Sequence, residues 1–159
     1  MEFVGALTCT TPPTVEPLSV AETKTYLRVD HSDEDTLIGG FIKTAREVCE
    51  RFTNRQLITA TYTLKLAAFP QAWDRIYISR SPLQSISSIV YYDENAVSQT
   101  LSSALYQVNI YDIFGSVVPI DGGTWPTTES GKENAVTITF KSGFGDAATS
   151  VPESLRMGM

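Results

Sequence analysis

"SDEDTLIGGFIKTAREVCERFTNRQLITATYTLKL", residues 32–66, changes its hydrophobic period midway, and that change decides the fold class. In the first part, apolar side chains recur at Leu37, Ile38, Phe41, Ile42, Ala45, Val48, Cys49 and Phe52. The spacing is that of one face of a helix, about 3.6 residues per turn. It predicts a helix over 32–53, about 30 Å long, burying Leu37, Phe41, Ile42, Ala45, Val48 and Phe52. After Asn54 the period falls to two. Tyr62, Leu64 and Leu66 alternate with Thr61, Thr63 and Lys65, the pattern of a half-buried strand.

The head of this helix holds the chain's single histidine, His31, beside Asp30, Asp33, Glu34 and Asp35. Such a cluster suggests a metal or an acid–base centre. A zinc site needs three or four converging ligands, and no thiolate is near. A calcium loop needs a glycine at its sixth position, which is absent. Capping accounts for the same residues more simply. Ser32 suits an N-cap, Asp35 stands three residues on, and carboxylates in the first turn favour the helix dipole. The expectation is a cap, with His31 exposed between two helices, and no metal ligands.

Working outward, Ser19 and Glu22 form a Ser-x-x-Glu capping box that starts a short helix. Residues 1–17, Thr- and Pro-rich, read as an extended arm. Residues 18–159 read as one domain, with helices over 19–54, a β region over 58–143 and a short tail over 151–159. Downstream, "DRIYISR", "SISSIVYYD", "VSQTL", "YQVNIYD", "GSVVPI" and "AVTITFKSG" are short strands, with "DENA" as a hairpin turn. "DGGTWPTTESGKEN", residues 121–134, is a long loop carrying Trp125. In "VPESLRMGM", Pro152 and Glu153 open a helical turn. The fold class is α+β, and no repeat is present.

The 159 residues are 42% hydrophobic, enough for one domain with a core, and carry a net charge of -6. The twelve Lys and Arg are scattered, without the basic stripe of a nucleic-acid binder. Cys9 and Cys49 are too far apart in sequence for a Cys-x-x-Cys motif, and Cys49 reads as a buried free thiol on the helix face. "MEFVGALTCTTPP" is a poor signal peptide, and no stretch reaches the ~18–20 apolar residues of a membrane span.

No catalytic motif stands out. "GGFIKT" lacks the Gly-Lys step and the leading strand of a phosphate loop. A Gly-x-Ser-x-Gly elbow is missing. A dispersed carboxylate pair of a hydrolase carries no local signature and stays open. No catalytic, cofactor or metal residue is assigned. Trp73 and Trp125 remain as a sugar platform, as anchors for a protein partner, or as rings folded onto their own sheet.

In order, "EPLSVAETKTYLRVDHSDEDTLIGGFIKTAREVCERFTNRQLITATYTLKL", "RSPLQSISSIVYYDENAV", "YQVN", "DGGTWP" and "NAVTITFKSGFGDAATSVPESLR" resemble the head–tail connector (adaptor) proteins of long-tailed bacteriophages and prophages. The resemblance covers residues 16–156, and its specificity lies in the order of the pieces. It implies a small helical bundle with an inserted antiparallel β region. It also implies a dodecameric ring of this chain, docked under the portal protein at the capsid vertex. That ring would extend the DNA channel without binding DNA specifically and would offer a surface to the next neck or tail-completion protein. The location implied is the virion neck, after synthesis in the host bacterial cytoplasm, with no membrane and no cofactor.

The resemblance implies no catalytic residues. It departs at the end: the family usually continues after "VPE" into a long apolar helix, so either that helix is dispensable here or the protein is a shortened relative, and bundle packing and portal docking are the implications this departure touches. The partner contacts expected are Val4, Leu7, Trp73, Trp125, Val151 and Leu155, with the arm and the tail ordering on assembly. The alternative is a ligand- or carbohydrate-binding β module.

Overall fold

The computed structural model describes residues 5–71 and 74–159. Its elements are β1 (Ala6–Thr11), α1 (Val20–Leu27), α2 (Asp35–Thr53), β2 (Ala60–Leu66), β3 (Ile76–Ile78), β4 (Leu83–Tyr92), β5 (Ser98–Thr100), β6 (Tyr106–Asn109), β7 (Gly115–Pro119), β8 (Val136–Ser142) and a single turn, α3 (Glu153–Arg156). A five-stranded sheet runs β1-β2-β8-β4-β5, and a three-stranded sheet runs β3-β7-β6. Every strand pair in both is antiparallel. The α+β class therefore stands.

The two-residue period of β2 is realised in its pairing with β8. Tyr62 lies opposite Phe140, Leu64 opposite Ile138 and Leu66 opposite Val136. All six are buried, and the Tyr62 and Phe140 rings stack at 5.8 Å. Ile89 of β4 extends the layer, and Ile76, Ile78 and Val117 of the smaller sheet join the same core. Each such side chain contributes about 1.5–3 kcal/mol by leaving water. Gly143, just after β8, sits at φ 137, where an added Cβ would lie 2.6 Å from the Thr59 nitrogen. Only glycine allows that approach of the two chain segments.

The helices depart from expectation in two ways. α1 has the capping box as read: Glu22 N–H donates to Ser19 Oγ, and the Glu22 carboxylate accepts from Ser19 N–H. α2, however, begins at Asp35 and not at Ser32, and no side chain caps it. Ser32 contributes only its carbonyl, to the Asp35 N–H. The Asp35 carboxylate instead pairs with Lys24 of α1 at 2.6 Å, which ties the two helices together. The second departure is that no helical bundle closes within the described chain. α1 buries no residue, and α2 is covered on one side only.

Of the extended arm read over residues 1–17, the described part, residues 5–17, packs on the domain. Ala6–Thr11 forms the edge strand β1 on β2, Glu16 pairs with Arg46, and Pro17 is fully buried.

Candidate assembly surfaces

α2 has two apolar faces where the sequence suggested one. Ile38 and Ile42 are buried, and Ala45 and Cys49 are partly buried. Leu37, Phe41, Val48 and Phe52 face water, Phe41 at 60% and Phe52 at 90% exposure against 5% for Ile42. At about 100° per residue these four fall in a sector roughly 60° wide. Their predicted burial is therefore corrected: the chain covers the neighbouring sector and leaves this stripe bare. The stripe exposes on the order of 400–500 Å² of apolar area, in the range where a surface patch marks an interaction site.

The orientation of α2 is set by a buried polar network that nothing in the sequence reading singled out. Arg46 and Glu50 are a turn apart, paired at 2.8 Å and both buried. Arg46 Nε also donates to Glu16 at 2.7 Å. Glu50 Oε1 accepts from Gln56 Nε2 and from the Leu57 N–H. Gln56 in turn donates to the Ile58 carbonyl and accepts from the Tyr62 hydroxyl. Arg80, in the β3–β4 turn, donates to the Glu50 carbonyl.

Burial pushes the Glu50 carboxyl up, against the opposing pull of the Leu57 N–H and Arg46. Burial also raises Tyr62, to about 12. Burial works against the Arg46 charge, and Glu16 and Glu50 outweigh it. In sequence Arg46 and Glu50 look like an ordinary exposed i,i+4 pair. The signal that could have found them is their place beside Ile42 and Cys49 on the helix wheel.

The expected contact residues are mostly spent inside the chain. Trp125 is only 8% exposed, stacks on Phe69 at 5.0 Å with the rings nearly parallel, and donates its indole N–H to the Asp74 carbonyl. Of the readings left open for this ring, its contacts here are those of a ring folded back onto its own chain. Val151 is buried with Leu57 and Ile58, and Leu155 packs partly against them. Arg156 donates to the Pro17 carbonyl and pairs with Glu22 and Glu153. The tail is therefore bonded to α1 and to the segment before it within the chain. Leu7 packs partly against the main core from β1. Val4 and Trp73 lie outside the described residues. His31 is exposed in the turn between α1 and α2, as expected.

A second apolar surface lies at the β6–β7 tip, where Ile110, Tyr111, Ile113 and Phe114 are exposed. The tip is braced by Asn109, which donates to Asp112 and accepts from the Tyr111 N–H. Beside it an open groove of about 1180 Å³ runs along β3, lined also by Asn54, Phe114 and Ile120–Thr124. Its walls mix Tyr77, Val118 and Ile120 with Asp74, Arg75 and Asp121. No helix among the described residues is long and apolar enough to cross a membrane.

Comparison with solved structures finds the same fold in chains of gene transfer agent particles. The chain superposes on a protein of the "Virion of native gene transfer agent (GTA) particle" with a TM-score of 0.79 at 21% identity, covering 95% of this chain and 80% of that one. It matches a chain of the "Neck of empty GTA particle computed with C6 symmetry" with a TM-score of 0.78 at 21% identity, covering 96% and 80%. For the "Neck of native GTA particle computed with C12 symmetry" the TM-score is 0.72 at 17% identity, covering 96% and 79%. No curated protein matches. Residues 17–116, from the buried Pro17 through both helices to the start of β7, match the family model described as phage gp6-like head-tail connector protein, and the chain belongs to that family.

Proposed function

We propose that this protein is a structural component of a virion neck, a head–tail connector that works as a ring of identical subunits. The ring is dodecameric, docks under the portal protein, extends the DNA channel and presents its far side to the next neck or tail-completion protein. The role is mechanical and calls for no catalysis, cofactor or specific DNA contact. The net charge of -6 suits a lumen that repels the DNA backbone.

The observation that carries this reading is the bare stripe Leu37, Phe41, Val48 and Phe52, in a chain whose family is that of connectors and whose fold neighbours sit in necks of sixfold or twelvefold symmetry. A bundle of helices completed between subunits would cover the stripe. That would supply the helical packing the resemblance implies and the single chain lacks. The β6–β7 tip, with Tyr111 and Ile113 largely exposed, suits the contact with a different ring. The sugar-platform alternative loses Trp125 to the core.

The test is native mass spectrometry of the pure full-length chain, together with cryo-electron microscopy of particles that contain it. A ring at the capsid vertex is expected. A chain that stays monomeric and is absent from purified particles would overturn the proposal.

A further inference from the structure

Among the described residues the five-stranded sheet has two open edges, β1 and β5, about 19 Å apart at ~4.8 Å per strand spacing. Neither is blocked by a charged residue or a proline, though β5 is only three residues long and β1 is bulged. β1 reads "ALTCTT" and β5 reads "SQT", with no charge and no proline in either. Nearly every residue of both is exposed. A bulge interrupts β1 between Cys9 and Thr11, which leaves residues 6–9 straight, longer than the whole of β5.

Two further facts concern direction and charge. Four successive antiparallel steps separate β1 from β5, so the two strands point the same way. They also begin at the same end of the sheet. Ala6 lies opposite Lys65, Leu66 opposite Val136, Val136 opposite Tyr91, and Tyr92 opposite Ser98. At that end Lys65 stands on β2, one strand in from the β1 edge, exposed and in no ion pair among the described residues. The other edge carries the turn after β4, with exposed Glu94 beside Asp93.

We infer that β5 of one subunit pairs in parallel with β1 of the next, so that the sheet runs on from copy to copy. This rests on the ring reading above. A rotation about an axis near the strand direction preserves that direction, so the rotated copy offers β1 in the sense β5 needs. The contact joins two different surfaces head to tail, the type of interface that closes into a ring. The same rotation brings Lys65 of one copy toward Glu94 of its neighbour. Each edge supplies the N–H and C=O groups the other lacks.

Register gives a direct test. Ala6 and Thr100 lie on one row of the sheet, through Lys65, Thr137 and Val90, and so share a level and a face. Gln99, opposite Tyr91, points the other way. In a full-length Cys9→Ala, Cys49→Ala background, Ala6→Cys with Thr100→Cys is oxidised after assembly and read on a non-reducing gel. A ladder of multimers is expected, at least tenfold stronger than from Ala6→Cys with Gln99→Cys and absent with either new cysteine alone. Rings of normal mass that give no ladder overturn the pairing while leaving the neck role intact. Cross-linking from the Gln99→Cys pair only also overturns it, because the faces would then be mismatched. A chain that never assembles overturns both readings. Independently, Lys65→Glu should lower ring yield severalfold, and adding Glu94→Lys should restore it. An unchanged yield in Lys65→Glu counts against the pairing.

Discussion

Glu50 is the residue on which most of the α2 attachment converges. It takes Arg46, Gln56 and the Leu57 N–H on its two oxygens, out of water. Removing one partner of a buried pair leaves the other charge uncompensated. Glu50→Ala should therefore cost about 3–5 kcal/mol in urea unfolding. Replacing both members by apolar residues of similar volume should cost far less, because the desolvation penalty leaves with them.

Tyr62 makes a pH-dependent prediction. Its folded pKa lies near 12, above the ordinary value of 10. The folded state thus holds the phenol proton more tightly than the unfolded chain. The associated stability is whole below pH 10 and is lost as pH rises through 12. Tyr62→Phe should show a shallower loss of stability across that window in denaturant titrations. Trp125→Ala should behave as a core deletion, losing about 3–5 kcal/mol, because the ring is sandwiched on Phe69 and its N–H is satisfied by Asp74.

At the scale of elements, α2 separates folding from assembly. Ile42→Ala should cost about 2–5 kcal/mol, as for a filled core site. Phe41→Ala and Phe52→Ala, one helical step away, should change the stability of the free subunit by no more than ~0.5 kcal/mol and still impair ring formation. Chemical denaturation and native mass spectrometry together read the two effects. The helix starts make a matching pair. Ser19→Ala should cost about 1 kcal/mol, because its hydroxyl caps α1. Ser32→Ala should cost little, because its hydroxyl caps nothing. The two serines stand in similar local sequence. What separates them is Lys24, which takes the Asp35 carboxylate that a capping box would have used.

For the whole molecule, the expected order of local stability follows the sheet. β2 and β8 lie in its interior and carry the most buried pairs. Their amides should exchange with solvent slowest in the free subunit. β1 and β5, paired on one side only, should exchange faster and gain protection on assembly. Residues 151–156 should be protected already in the free subunit, since Val151 sits in a core and Arg156 is bonded to Pro17 and Glu22. Hydrogen exchange on free and assembled protein checks all three expectations.

Local sequence carried what depends on neighbours along the chain. The α1 capping box, the alternation of β2, the Asn54 stop and the Asp93–Val97 turn each rest on residues within a few positions of one another, and all were legible. The ordered series of pieces was also enough to mark the family. Whether an apolar or charged side chain ends in a core depends on what comes to cover it, and that is set by segments distant in sequence. The period of α2 shows that it is amphipathic, but its stripe is wide enough to span two sectors. The period alone does not decide that Ile42 is buried and Phe52 is not, nor that Cys49 packs against Leu57, Ile58 and Val151 from later in the chain. Arg46 and Glu50 are buried because Glu16, Gln56 and Arg80 arrive from three other segments. Trp125 is a core residue because Phe69 and Asp74, 51 or more positions away, supply its face and its acceptor.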